Sequence, residues 1–340
     1  MLIDLRSDTV TRPTPAMKEA MFNAKVGDDV FGDDPTINIL QQRTAAYLGM
    51  EDALFFPSGT MANQVAIKTH TLPGEEVICD HTAHVYRYEG GGIAFHSGCS
   101  VRLLNGVRGI FTAENILENI NSDDSHFPKS SLVVIENTVN KGGGICWGDD
   151  QISSVSNAAR SNGMNIHLDG ARLWNALVAT KQDPLSYGKW FDSISVCFSK
   201  GMGCPIGSVL TGNKEFIAKA RKHRKRFGGG MRQAGYLAAA CIYALDNHID
   251  RLVEDHNKAK TLETLLKGYD TVNEIMPVET NIVLFKMDSV EKAENVLKTL
   301  KEQQILAAAT GGGWIRFVTH LDITDEMMEM IEDKLKSILG

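Results

Sequence analysis

The sequence predicts an α/β fold in which a mostly parallel sheet carries functional side chains at the carboxyl ends of its strands. Two short apolar runs, 164–168 and 194–198, have the length and composition of buried strands. Asp169 directly follows the first run, and Lys200 lies two residues past the second. Because open α/β sheets bind their ligands beyond the carboxyl ends of the strands, we expect both side chains to face one crevice.

An aspartate and a lysine that face one crevice match the needs of pyridoxal phosphate (PLP). The lysine forms a Schiff base with the cofactor, and the carboxylate keeps the pyridine nitrogen protonated, so that the ring accepts electrons. The alternative is that Asp169 caps a helix and Lys200 is a solvated loop residue. Gly201, Gly203 and Gly207 favour the cofactor, because glycine permits close approach of the backbone.

Residues 53–69 have the pattern of a strand, a tight turn and a helix. Ser58, Gly59 and Thr60 then lie at the helix N-terminus, where free N–H groups, two hydroxyls and the helix dipole favour an anion. Neither a G-x-x-x-x-G-K-[ST] loop nor a G-x-G-x-x-G fingerprint occurs in the sequence, so a nucleotide is the poorer ligand. We therefore interpret this turn as the site of the cofactor phosphate.

Three long segments resemble one enzyme family. HLDGARLWNA, SISVCFSKGMGCPIGSVL and FGGGMRQAGYLAAA are similar to segments of the low-specificity L-threonine aldolases, and the resemblance runs from LRSDTVTRPT to IRFVTHLDIT. It implies the PLP-dependent transferase fold type I of aspartate aminotransferase. That fold has a large domain with a mostly parallel seven-stranded sheet and a small C-terminal α+β domain. A charged helical pattern suggests a division into residues 1–248, including the N-terminal arm, and 249–340.

The resemblance also implies roles at the cofactor. The histidine at His84 matches the residue that stacks on the PLP ring, and Glu89 matches a glutamate close to the substrate. Arg172 matches an arginine near the cofactor and the substrate carboxylate; the alternative is an ion pair with Asp169. Lys225 matches a lysine that reaches the cofactor phosphate, across a subunit interface.

Three side chains are expected to hold the substrate carboxylate: Ser7, Arg172 and Arg316. Arg316 stands in the middle of an apolar strand, where an arginine needs an anionic partner. The resemblance assigns a carboxylate contact to the residues at Ser7 and Arg316, and assigns contact with the β-hydroxyl to His126.

The implied reaction is cleavage of L-threonine and L-allo-threonine to glycine and acetaldehyde, with Lys200 as the Schiff-base lysine. The general base stays open: His84, His126, or a water that they hold near Glu89. The preference between the two substrates, which differ only at the β-carbon, stays open as well.

Composition limits the possible partners. The chain has 340 residues, 43% hydrophobic and 23% charged, as in an ordinary globular protein. Its net charge of −7 argues against a nucleic-acid surface, and no apolar run is long enough to span a membrane. The six cysteines lack metal-ligand spacing, and no signal peptide opens the chain. We expect a cytoplasmic, metal-free homotetramer, a dimer of dimers, that acts on β-hydroxy-α-amino acids.

Two other functions remain open. A β-eliminating lyase or an aminotransferase has the same fold, and fold does not determine the reaction. Release of glycine and acetaldehyde, rather than pyruvate and ammonia, separates aldolase from lyase. A PLP-binding protein without catalytic activity is the second alternative, against which the complete set of Lys200, Asp169, His84 and Arg316 argues.

Overall fold

The computed structural model describes residues 1–340, and its largest sheet has seven strands in the order β2-β8-β7-β6-β5-β3-β4. Only β8 is antiparallel to its neighbours. This confirms the α/β class and the mostly parallel seven-stranded sheet. The strands are β2 (Asp52–Phe56), β3 (Glu76–Asp80), β4 (Ser100–Leu104), β5 (Ser130–Glu136), β6 (Asn165–Gly170), β7 (Ser193–Cys197) and β8 (Ser208–Gly212).

The middle of this sheet is buried on both faces. Every residue of β3, β5, β7 and β8 is buried, including the serines of β7, as expected for strands that are covered on both faces. In the register of β5 and β6, Glu136 lies beside Asp169 at the carboxyl ends of the two strands. The parallel arrangement therefore brings acidic side chains together at one edge of the sheet.

Ten helices cover the sheet or pack beside it. Asp34 caps one of them by accepting from the backbone N–H groups of Thr36 and Ile37, and its second oxygen accepts from Gly235 N at the start of another. The ten are α1 (Pro15–Phe22), α2 (Pro35–Tyr47), α3 (Gly59–His70), α4 (His84–Arg87), α5 (Ala113–Leu117), α6 (Asp149–Ser161), α7 (Leu173–Thr180), α8 (Tyr187–Trp190), α9 (Lys214–Arg226) and α10 (Gly235–Asn247).

The C-terminal residues form a four-stranded antiparallel sheet in the order β12-β13-β10-β9, packed against helices. This confirms the smaller α+β part, whereas the boundary at 248/249 stays a prediction. Its elements are α11 (Leu252–Leu266), β9 (Val272–Ile275), β10 (Ile282–Met287), α12 (Val290–Glu302), β11 (Ile305–Leu306), β12 (Ala308–Gly311), β13 (Trp314–Val318) and α13 (Asp325–Leu339). None of the helices combines the length and apolar content that crossing a bilayer demands.

The N-terminal arm connects the two parts of the molecule. Its strand β1 (Ile3–Asp4) pairs in parallel with β11, and Leu5 is fully buried in the same apolar core as Phe285 and Phe317. Further along the arm, the Thr11 hydroxyl donates to the Lys200 carbonyl at 3.0 Å. The arm thus runs from the core of the C-terminal part to the carboxyl edge of the large sheet.

Candidate active site

Two adjoining cavities lie at the carboxyl edge of the large sheet, and His84 and Lys200 line both. The Asp169 cavity, of about 220 Å³, brings together the predicted residues Ser58, Gly59, Thr60, Glu89 and Asp169. The Arg316 cavity, of about 300 Å³, brings together Ser7, Arg172 and Arg316.

Asp169 has a carboxylate oxygen without a partner inside the protein. One oxygen accepts from Ala171 N at 3.1 Å, while the other is buried and accepts no hydrogen bond. A buried acceptor of this kind is costly unless a ligand satisfies it. The protonated ring nitrogen of PLP is such a ligand, so this orphan oxygen fits the cofactor.

Lys200 is half-buried and pairs with no carboxylate. Its amine lies 3.8 Å from the Cys197 thiol, and its carbonyl accepts from Gly203 N at 2.8 Å as the chain turns after β7. The backbone therefore holds the lysine at the boundary of the two cavities, and leaves its amine available for a Schiff base.

The N-terminus of α3 forms one wall of the Asp169 cavity. Ser58 caps the helix by accepting from Met61 N at 3.2 Å. Gly59 is required by packing, because a Cβ at this position would lie 2.6 Å from the Cys197 sulfur. Backbone N–H groups at a helix start and the hydroxyls of Ser58 and Thr60 suit a phosphate.

The half-buried His84 and the buried Glu89 form a hydrogen-bonded pair. Glu89 accepts from the side-chain amides of Asn63 at 2.9 Å and Gln64 at 2.6 Å, and from His84 Nδ1 at 2.9 Å. A carboxylate that receives two amide donors acts as an acceptor only, so Nδ1 of His84 carries a proton. Nε2 is the nitrogen that remains to take part in chemistry.

Burial opposes the charged form of the His84 imidazole. The hydrogen bond with Glu89 and the nearby carboxylates of Asp169 and Glu136 outweigh that penalty and raise the pKa of His84. One ligand atom from each of His84, Glu89 and Asp169 lies within 4.8 Å of the others. The protonation state of His84 therefore depends on the charges of the neighbouring carboxylates.

Glu136 is a site residue that sequence reasoning missed. Its carboxylate accepts from His84 N at 2.8 Å and from Asn140 N at 2.9 Å. Asn140 in turn accepts from Arg316 at 2.8 Å. Burial and the adjacent Asp169 carboxylate raise the pKa of Glu136 to about 7. The only signal in the sequence was its place at the end of a buried strand, beside Asp169.

Asp8 was also missed, and it is the partner of Arg172. Two parallel hydrogen bonds of 2.8 and 2.7 Å join the guanidinium to the carboxylate, and both side chains are buried. The alternative pairing of Arg172 with Asp169 is therefore wrong. Burial alone would raise the pKa of Asp8, but Arg172, Lys200 and Asn281 outweigh it and lower the pKa to about 2.

Arg316 has no carboxylate partner. It donates to Asn140 at 2.8 Å and to the Arg6 carbonyl at 2.9 Å, and its buried Nε lacks an acceptor. Burial and the charge of Arg172 lower the pKa of Arg316. Ser7 lies nearby in the same cavity and caps a short 3₁₀ turn by accepting from Thr9 N at 3.2 Å. The carboxylate of an amino acid would supply the missing anion.

Two predicted residues lie outside both cavities of a single chain. The side chain of His126 is 83% exposed and contacts Asp124 at 2.6 Å. Lys225 is exposed on α9 and lines a separate basic surface concavity with Arg221 and Lys222. The roles of His126 and Lys225 stay predictions.

Comparison with known proteins gives consistent results. The model of a family described as beta-eliminating lyase matches residues 4–290. The low-specificity L-threonine aldolase of Escherichia coli K12 is 39% identical over 100% of both chains. Low-specificity L-threonine aldolase 1 of Arabidopsis thaliana is 41% identical over 95% of this chain and 92% of its own. The structure of Leishmania major threonine aldolase has a TM-score of 0.86 at 19% identity, covering 99% of this chain and 100% of that one.

The buried ion pair yields a prediction about stability. Replacing Asp8 with Asn leaves Arg172 buried without an anion, so the free energy of unfolding should fall by about 3 kcal/mol at pH 7. Because the folded-state pKa of Asp8 is depressed to about 2, the ion pair contributes fully above pH ~4, the ordinary carboxyl pKa. The difference between wild type and variant should shrink as pH falls from there through about 2.

Urea unfolding followed by tryptophan fluorescence at several pH values measures this difference. Asp246→Asn is the matched control, because it breaks the exposed pair with Arg43 and should cost under about 1 kcal/mol. A loss for Asp8→Asn no larger than that of the control, or a loss that does not change between pH 6 and 2, would contradict the prediction.

Proposed function

Because the chain belongs to the low-specificity L-threonine aldolase family, we propose that it cleaves L-threonine and L-allo-threonine to glycine and acetaldehyde with PLP as cofactor. The observation that carries this proposal is the meeting of three unpaired groups at one edge of the sheet. They are the orphan oxygen of Asp169, the amine of Lys200 and the guanidinium of Arg316.

The Asp169 cavity would hold the cofactor. Lys200 would bind it covalently, Asp169 would contact its ring nitrogen, and the α3 N-terminus would receive its phosphate. His84 would lie against the ring. When bound, PLP supplies an electron sink for the pair released as the Cα–Cβ bond breaks.

The Arg316 cavity would hold the amino acid. The fork of Arg316 suits a carboxylate, and its contact with Asn140 fixes the orientation of the guanidinium. Arg172 is committed to Asp8 through two of its nitrogens, so its main effect is to place positive charge beside the carboxylate. Ser7 adds a hydroxyl. Anchoring the carboxylate fixes the direction of the bond to be cleaved.

His84 is the histidine that a single chain places at the site, and we propose it as the proton acceptor. Glu89 holds the proton on Nδ1, so that Nε2 accepts the proton of the β-hydroxyl directly or through a water. His126 can act only if another subunit, or a movement of its loop, brings it closer.

Replacing Lys200 with Ala should abolish release of acetaldehyde from both threonine isomers, because no other amine lines the Asp169 cavity. Coupling to alcohol dehydrogenase, with and without added PLP, measures the release. Lys189→Ala removes an exposed lysine elsewhere and is the control. Substantial aldolase activity in Lys200→Ala would overturn the assignment. Wild-type protein that yields an oxo acid and ammonia in place of glycine and acetaldehyde would establish a β-eliminating lyase.

Replacing Arg316 with Gln should raise the KM for L-threonine roughly a hundredfold, since a half-buried charged contact with the carboxylate is lost. The effect on kcat should be smaller, because the arginine binds the substrate and the transition state alike. Arg316→Lys keeps the charge but not the fork, so its KM should be intermediate. Steady-state kinetics with saturating PLP test this, and an unchanged KM in Arg316→Gln removes the proposed role.

We also propose that the chain forms a homotetramer, a dimer of dimers, in the cytoplasm. Highly exposed aromatic side chains, Phe31 at 77% and Phe95 at 84%, support assembly. Six free cysteines support a reducing compartment. Light scattering should give about four times the chain mass of 37.3 kDa. A monomeric mass in solution would contradict the assembly, and secretion of a tagged chain would contradict the location.

A further inference from the structure

The Arg316 cavity holds more positive charge than a single amino-acid carboxylate requires. Four cationic side chains line it: Lys141, Arg172, Lys200 and Arg316. No carboxylate lines it. Asp8, which does not line the cavity, neutralises Arg172 through an ion pair. In the proposed function, Lys200 binds the cofactor and Arg316 binds the substrate carboxylate. Lys141 is the cation that neither the ion pairs nor the proposed function accounts for.

Lys141 is half-buried and directly follows Asn140 in the turn of residues 140–143. Its ammonium donates to the Thr310 carbonyl at 3.2 Å and lies 5.7 Å from the centre of the Tyr88 ring. It forms no ion pair, although an ammonium has three donors and its partial burial favours an anionic partner. Because the neighbouring Asn140 accepts from Arg316, one turn directs both cations into the cavity.

We propose that this enzyme also takes β-hydroxy-α-amino acids that carry a second carboxylate on the β-carbon, such as L-threo-3-hydroxyaspartate. Arg316 binds the α-carboxylate and Lys141 binds the β-carboxylate. The guanidinium fork of Arg316, oriented by Asn140, suits the group common to all substrates, and the flexible lysine suits the group that varies. This proposal rests on the proposed function and names a further class of substrate for the same site.

The reaction needs no additional reactant. The Cα–Cβ bond breaks as the β-hydroxyl loses its proton, and the β-carbon leaves as the aldehyde carbon of glyoxylate. The bonding pair stays on the α-carbon, which gains a proton and becomes glycine. Glycine and glyoxylate together contain all the atoms of the substrate, so the reaction needs no oxidant or reductant.

Binding without turnover gives the sharpest test. L-Aspartate and L-asparagine have nearly the same size and lack the β-hydroxyl, so they differ at this site mainly by the second carboxylate. Titration of the holoenzyme, followed by the absorption of its cofactor, gives both dissociation constants. We expect wild type to bind L-aspartate roughly tenfold more tightly than L-asparagine, a typical effect of a partly buried charge pair.

Lys141→Met keeps the length of the side chain and removes its charge, so the ratio of the two dissociation constants should fall to about one. Lys141→Arg should retain a preference for L-aspartate. Lys301→Met, which removes one charge from an exposed position at the end of α12, should keep the wild-type ratio. Glyoxylate release from L-threo-3-hydroxyaspartate should decline in Lys141→Met in parallel with the ratio.

Two results would overturn this inference: no preference for L-aspartate in wild type, or a preference that survives in Lys141→Met. If the preference survives while both ligands lose affinity equally, Lys141 binds the α-carboxylate instead. Failure of the proposed function appears separately, as absence of acetaldehyde release from L-threonine, because the affinity ratio does not depend on turnover.

Discussion

The buried pair of Asp8 and Arg172 is the interaction on which the active site depends. Two charges without access to water are tolerable only when they are paired in good geometry. Asp8 belongs to the N-terminal arm, Arg172 precedes α7 at the carboxyl edge of the large sheet, and Asn281 of the C-terminal part donates to Asp8 at 3.3 Å. The pair therefore fixes three distant segments at the point where Ser7, Arg316 and Lys200 must meet. Loss of either charge would disturb binding as well as stability.

Three acidic side chains, Glu89, Glu136 and Asp169, converge at the Asp169 cavity, and each has a different set of hydrogen-bond donors. Glu89 receives two side-chain amides and His84, and Glu136 receives two backbone N–H groups and has a pKa of about 7. Asp169 receives one backbone N–H and keeps a buried oxygen without a donor. Since the protein satisfies the other two carboxylates, the negative charge that remains for a cationic ligand is concentrated on Asp169.

The sheet and the proximity of Asp169 and Lys200 could be predicted from the sequence, because each residue follows a local apolar run and ligands bind at the carboxyl ends of such strands. Asp8 was beyond such reasoning, since its partner is 164 residues away and nothing local distinguishes it from a capping residue. The strands β9 and β12 are short and partly exposed, so they lack the apolar pattern of a buried strand. The family resemblance supplied roles for His126 and Lys225, but a single chain leaves both outside the site, and only an assembly can bring them closer.

Buried residues of the large sheet and of α3 determine which ring nitrogen of His84 carries a proton. His167 is buried, and that burial lowers its pKa to about 4, so the ring is neutral near pH 7. Its Nε2 lies 3.2 Å from the side-chain amide oxygen (Oδ1) of Asn63, and this nitrogen must donate to that oxygen. Asn63 therefore presents its NH₂ group to Glu89, and Glu89 accepts the Nδ1 proton of His84. Because each donor in this chain of hydrogen bonds fixes the next acceptor, the buried residues His167 and Asn63 determine which nitrogen of His84 is left without a partner in the protein.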